Sequence, residues 1–157
     1  MPTIRGTGSL FLQNLLSPPY ERVSLRGERK PYSLVFNHLY ALHMQHFYKW
    51  IQIFDLIITP IRRPELVAAT WARRGDKEDH FWIQWDNWQK MVDLGALVLP
   101  IDHPDRDSYL EKISTAIDMK LETDWAPFNT AKAPRGTSLP VKVDRLYDIP
   151  IIGELYG

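Results

Sequence analysis

At 157 residues the chain has the length of one ordinary domain, and 45% hydrophobic with 24% charged residues is a globular composition that excludes wholesale disorder. The absence of cysteine excludes disulfides, thiol catalysis and thiolate metal sites together. A net charge of zero conceals an asymmetry: ten Lys/Arg stand against four Asp/Glu over residues 1–75, and nine against fifteen over residues 76–157, which suggests two faces with different neighbours.

Residues 1–32 read as an irregular, basic N-terminal arm. Gly6, Gly8, Pro18, Pro19, Gly27 and Pro31 interrupt any long element, leaving a short helix over residues 10–16. This apolar run has no cleavage pattern of a secretory signal, while Arg5 among Ser and Thr without an acid has the character of a mitochondrial leader. Gly6-Thr7-Gly8 lacks a further Gly and the Lys-Ser/Thr pair of a nucleotide loop. No strand is expected before it, so it is read as carrying no phosphate chemistry.

Residues 33–59 contain neither Gly nor Pro, and as a helix they would run roughly 40 Å. At 100° per residue, Phe36, Tyr40, Phe47, Trp50, Phe54 and Ile58 fall on one wide apolar arc, the candidate packing face. Lys49 and Asp55 argue against a lone bilayer span. His43 and His46, one turn apart, could share a metal, but no third ligand stands near them in the sequence, and hydrogen bonding is their default role.

Pro60 is expected to end this helix. A short helix should follow from Pro64 through Trp71 to Arg74, with Gly75 as its stop. Arg62, Arg63, Arg73 and Arg74, with Trp71 nearby, are candidate contacts for anionic lipid headgroups, although helix ends favour cations without lipid. The next helix is expected over residues 77–94, capped by Asp76 and stopped at Gly95. Trp82, Trp85 and Trp88 spread over about 240° on it, so at least one should meet another element, a lipid or a partner. The acids around them disfavour nucleic acid.

Residues 96–101 read as a link, since a single strand would have no partner. A fourth helix, capped by Asp102 or Asp105, should bury Leu110, Ile113, Ile117 and Leu121. Residues 122–157 lose the helical period and read as an extended Pro-rich C-terminal arm. Its apolar residues must lie on some surface, and Trp125, Tyr147, Ile151 and Tyr156 join the three tryptophans as candidate partner contacts.

The expected fold is therefore mainly α: one long amphipathic helix and about three shorter ones in a body over 33–121, between arms over 1–32 and 122–157. The basic arm with Arg5, the aromatic helix over 36–58 ending in Pro60-Ile61-Arg62-Arg63, and the Pro-punctuated tail over 125–157 together resemble, in general character, the supernumerary subunits of mitochondrial respiratory complexes and ATP synthases. That resemblance implies a non-catalytic accessory subunit at the mitochondrial inner membrane. It would brace other subunits and hold a phospholipid such as cardiolipin, with no catalytic cofactor. The alternatives are a soluble adaptor of a viral or ribosomal assembly, and a small ligand- or metal-binding protein using His43 and His46.

Overall fold

The computed structural model describes residues 2–16, 21–23, 33–35, 37–38, 52, 55–125 and 142–157. In chain order these form β1 (Pro2–Thr3), α1 (Ser9–Leu16), β2 (Glu21–Val23), β3 (Ser33–Val35), β4 (Asn37–His38), β5 (Ile58–Ile61), α2 (Pro64–Arg74), α3 (Glu78–Asp93), β6 (Leu97–Pro100), α4 (Arg106–Ala116), a 3-10 turn (Asp144–Asp148) and α5 (Pro150–Tyr156). Helices predominate, so the expectation of a mainly α chain holds.

The three short helices of the body lie close to where their sequence signals put them. Pro64 opens α2, and Gly75 closes it in the left-handed conformation at φ 69°. Capping differs from expectation. Lys77, in extended conformation, precedes α3, and Asp76 is drawn away to Arg5. Asp105 precedes α4 without a side-chain capping bond. Leu110 and Ile113 are buried as expected, while Ile117 and Leu121 are half-buried.

Three corrections concern strands and the tail. The long helix expected over 33–59 is not confirmed: among its described residues, 33–35, 37–38 and 58–59 are strand, while Gln52, Asp55, Leu56 and Ile57 are neither helix nor strand. Phe36, Tyr40, His43, His46, Phe47, Trp50 and Phe54 lie outside the residues with described side chains. The link over 96–101 is a strand, because β5 is its parallel partner, with Ile58 opposite Leu97 and Ile61 opposite Pro100. The carbonyls of Ile57 and Ile61 accept from the amides of Leu97 and Ile101. Alternate residues therefore face the ladder, and Pro60 sits between them, where its missing N–H costs no ladder bond.

The two pairing strands are buried almost throughout, the pattern of a sheet covered on both faces. Ile61 and Val98 look into one core with Val67, Trp71, Phe81, Trp85, Trp88 and Met91. Ile58, Leu99 and Ile101 look into a second with Leu12, Leu16, Leu110, Ile113 and Trp125. The α2–α3 crossover covers one face of the strands and α1 with α4 the other, a layered helix–strand–helix arrangement.

The third correction is the C-terminal segment. It regains helical order: Pro150, read as a breaker, occupies the first turn of α5, where its missing N–H is harmless. Val143, Leu146, Ile149, Ile152 and Leu155 enter the first core, so this apolar tail is buried by its own chain. Tyr147 donates to Glu65 Oε1 at 2.7 Å, and Tyr156 donates to Asp102 Oδ1 at 2.6 Å.

Burial, then the hydrogen bond to Glu65, pushes the Tyr147 phenol up to about 12. Burial, then the Asp102 charge, raises Tyr156 as well. The unfolded chain thus releases these protons first. Their contribution is fully present below about pH 10 and is lost as pH rises from there toward 12. Denaturant unfolding between pH 8 and 12 should show a steeper alkaline loss of stability in the parent than in the Tyr147→Phe/Tyr156→Phe variant. Equal slopes would remove the tyrosines from this account.

Candidate anion-binding site

The first loop is built as a connection from strand to helix. Strand β1 runs parallel to β4, with Thr3 opposite His38, and lies alongside β5. Ile4 then anchors in the core, the chain turns through Arg5-Gly6-Thr7-Gly8, and α1 begins at Ser9. Gly6 and Gly8 have φ of 93° and 87°, a region that favours residues without Cβ. A Cβ on Gly6 would also stand 3.1 Å from Thr70 Cγ2, so glycine lets the loop settle directly on α2. Thr7 is fully buried and ties the turn together, its hydroxyl donating to the Ile4 carbonyl at 2.7 Å.

Such a loop delivers the chain to the N-terminus of α1. There the first peptide N–H groups have no intrahelical partner, and the helix dipole presents its positive end. That combination of a Gly-bearing strand-to-helix turn and helix amides forms a cradle for a tetrahedral oxyanion. Of the three features Gly6-Thr7-Gly8 is read as lacking from sequence, β1 and α1 supply the strand-to-helix context, while the further Gly and the Lys-Ser/Thr pair remain absent.

A buried cation meets this cradle from the end of β5. Arg62 is only 9% exposed; its Nη1 reaches the Gly6 carbonyl at 3.4 Å, and its buried Nε has no acceptor. Burial lowers its pKa, the Asp102 carboxylate opposes that fall, and Arg73 adds to it. A guanidinium nevertheless stays charged. Arg62 is thus a desolvated charge with bonding capacity to spare, at the carboxyl ends of parallel strands, where ligands of layered α/β folds bind. Thr70 and Arg73, one turn apart on α2, continue the same side, with Thr70 against Gly6 and the Arg73 charge felt by Arg62.

The neighbouring strand end is spent on structure. Asp102 accepts the Arg63 amide at 3.0 and 3.3 Å as well as the Tyr156 hydroxyl. The Arg63 guanidinium lies 5.7 Å from the Tyr156 ring. His103 takes the Asp105 amide on Nδ1 and meets Tyr109 and Tyr156 edge-on.

The expected headgroup set divides accordingly. Arg62 and Trp71 turn inward, Arg63 stacks on the tail, and Arg73 with Arg74 is exposed at the end of α2. Of the expected packing face, the one residue with a described side chain, Ile58, is buried in β5.

The expected partner contacts are largely engaged within the chain. Trp85 and Trp88 are fully buried, which leaves them no surface to offer a partner. Trp82 meets another element, Arg145, whose guanidinium lies 3.3 Å from its ring centroid. Trp125 packs between Phe11 and Arg106 and donates to Asp107 Oδ1 at 2.6 Å. Tyr147 and Tyr156 are bonded as above, and Ile151 is half-buried against the first core. Among the described residues no trio of His, Cys, Asp or Glu could hold a metal, and no helix is long and apolar enough to cross a membrane.

Sequence reasoning missed Gly6, Thr7, Gly8 and Thr70. The signal available for them was Thr3-Ile4-Arg5-Gly6-Thr7-Gly8-Ser9 running directly into an apolar-periodic helix. No family model, curated protein or solved structure matches this chain.

Proposed function

We propose that this chain binds a small molecule bearing phosphate or sulfate groups, of the nucleotide class, at the β1–α1 loop. The observation carrying this reading is the buried Arg62, its Nε unpartnered, set against a strand–Gly-x-Gly–helix turn. Without an anion, Asp102 offsets the Arg62 charge but the buried Arg62 Nε keeps no acceptor; with one, both the helix amides and the guanidinium are satisfied. The loop with Arg62, and Arg73 toward the end of α2, provide two anchoring positions, which favours a ligand with two anionic groups.

Isothermal titration with inorganic phosphate, inorganic sulfate, ADP, adenosine 3′,5′-bisphosphate and adenosine tests it. Salt-sensitive binding of the anionic ligands, strongest for a bisphosphate, is expected, with adenosine inert. Silence from every anion would overturn the reading. Comparing ADP with adenosine 3′,5′-bisphosphate tells adjacent anchors from separated ones.

A second proposal is the non-catalytic accessory subunit of a mitochondrial inner-membrane complex. The exposed Arg73–Arg74 pair and the exposed Leu10 and Leu94 favour it. Its strongest sequence argument, the apolar tail, is weakened because the described part of that tail fills the chain's own core. Stoichiometric co-purification with membrane-complex subunits in mild detergent would favour it over ligand binding; recovery of a free, monodisperse chain would count against it.

A further inference from the structure

We infer that Gln84 and Trp71 are positioning residues for this loop, holding the two peptides that flank the Arg5 Cα so that the following amides are aimed before ligand arrives. The inference rests on the anion-binding reading. The Arg5 N–H donates to Gln84 Oε1 at 2.8 Å, and the Arg5 carbonyl accepts from Trp71 Nε1 at 2.8 Å. Its side chain is held as well, by Asp76 Oδ1 at 2.9 Å from Nη1. One residue of a connecting loop is therefore fixed at its donor, its acceptor and its charge by three positions of the α2–α3 crossover.

Both clamps are costly choices for a helix core. Gln84 is 0% exposed and Trp71 1% exposed, and the Gln84 Nε2 is buried without a partner. An apolar residue would fill that place without leaving an orphaned donor, and burying one is unfavourable. What the amide achieves is confined to Oε1, which bonds the loop. Holding both peptide planes that flank the Arg5 Cα fixes the direction from which Gly6, Thr7 and Gly8 continue toward α1. Donors locked by packed neighbours lose no reorganisation on binding, which is how a cradle gains affinity without further contacts.

The test compares amide hydrogen exchange and ligand affinity in the parent, in Gln84→Met, which keeps length but loses the acceptor, and in Gln84→Glu, which keeps the acceptor. In the parent the Arg5 amide should exchange as slowly as the core amides of α3, although it belongs to a loop. In Gln84→Met, protection over residues 5–9 and affinity for adenosine 3′,5′-bisphosphate should each fall about tenfold, with α3 far less affected. Gln84→Glu should restore the protection. Unchanged protection and affinity in Gln84→Met would overturn the inference, as would an Arg5 amide in the parent that exchanges like an exposed one. The parent's exchange decides the matter even where Gln84→Met fails to fold. A parent that binds no anion but keeps a protected Arg5 would sink the function proposed above and leave the clamp standing.

Discussion

Arg62→Met is expected to weaken anion binding about 100-fold while leaving the fold at least as stable as the parent. A charge-assisted contact made by a desolvated guanidinium accounts for roughly 3 kcal/mol or more, so affinity should fall about 100-fold. Stability should move the other way. Arg62 is a buried cation whose Nε has no acceptor and whose bond to the Gly6 carbonyl is long. Replacing a buried, poorly compensated charge by an apolar side chain of similar length is commonly neutral or stabilising by about 1–4 kcal/mol. Asp102 is not stranded by the change, because it keeps the Arg63 amide and the Tyr156 hydroxyl. Titration calorimetry and thermal unfolding on one preparation separate the two effects. A destabilised variant with intact affinity would make Arg62 a structural residue.

Trp88→Ala should be the most damaging single change in the core. The side chain is fully buried, packs edge-on to Trp85 with centroids 5.7 Å apart, and donates from Nε1 to Thr59 Oγ1 at 3.1 Å. The substitution opens a cavity beneath β5 and removes a bond across the layer, a loss of about 3–5 kcal/mol. For a domain of this size that is a large share of the roughly 5–15 kcal/mol total. Trp82→Ala, which forfeits the contacts with Arg145 and Phe81 and the bond to Glu78 at a half-buried position, should cost less, about 1–2 kcal/mol. Urea unfolding of both variants measures the contrast. Equal, small losses would indicate that Trp88 is a surface residue available to partners.

The body helices were legible because their ends carry local chemistry: Pro64 and Gly75 bracket α2, and Gly95 follows α3. The strands were not legible, for a non-local reason. Leu56-Ile57-Ile58-Thr59-Pro60-Ile61 and Leu97-Val98-Leu99-Pro100-Ile101 are short apolar runs that suit a helix end, a link or a buried strand equally well. Each becomes a strand only because the other exists, and the α2–α3 crossover hid the pair. The candidate site failed for the same reason. Strand β1 is two residues long, too short to announce itself, so Gly6-Thr7-Gly8 looked like an idle turn. Its partner β4 lay inside the stretch read as one helix.

Arg62 illustrates a subtler limit. The sequence offered Arg62 and Arg63 as equivalent surface cations, yet alternation at the end of β5 sends one side chain toward the loop and the other toward α5. The tail was misread from its prolines, since Pro150 is a breaker only in a helix interior. Among the described residues, the tail's Val143, Leu146, Ile149, Ile152 and Leu155 fill the chain's own core rather than a partner's surface.

The most direct test of an anion site at the β1–α1 loop is a two-dimensional amide NMR titration with inorganic sulfate and phosphate, followed by adenosine 3′,5′-bisphosphate. Saturable shifts concentrated in the amides of residues 6–10, with a matching change at the Arg62 Nε–H, are the predicted result. Shifts that bypass the amides of residues 6–10, or never saturate, would contradict it.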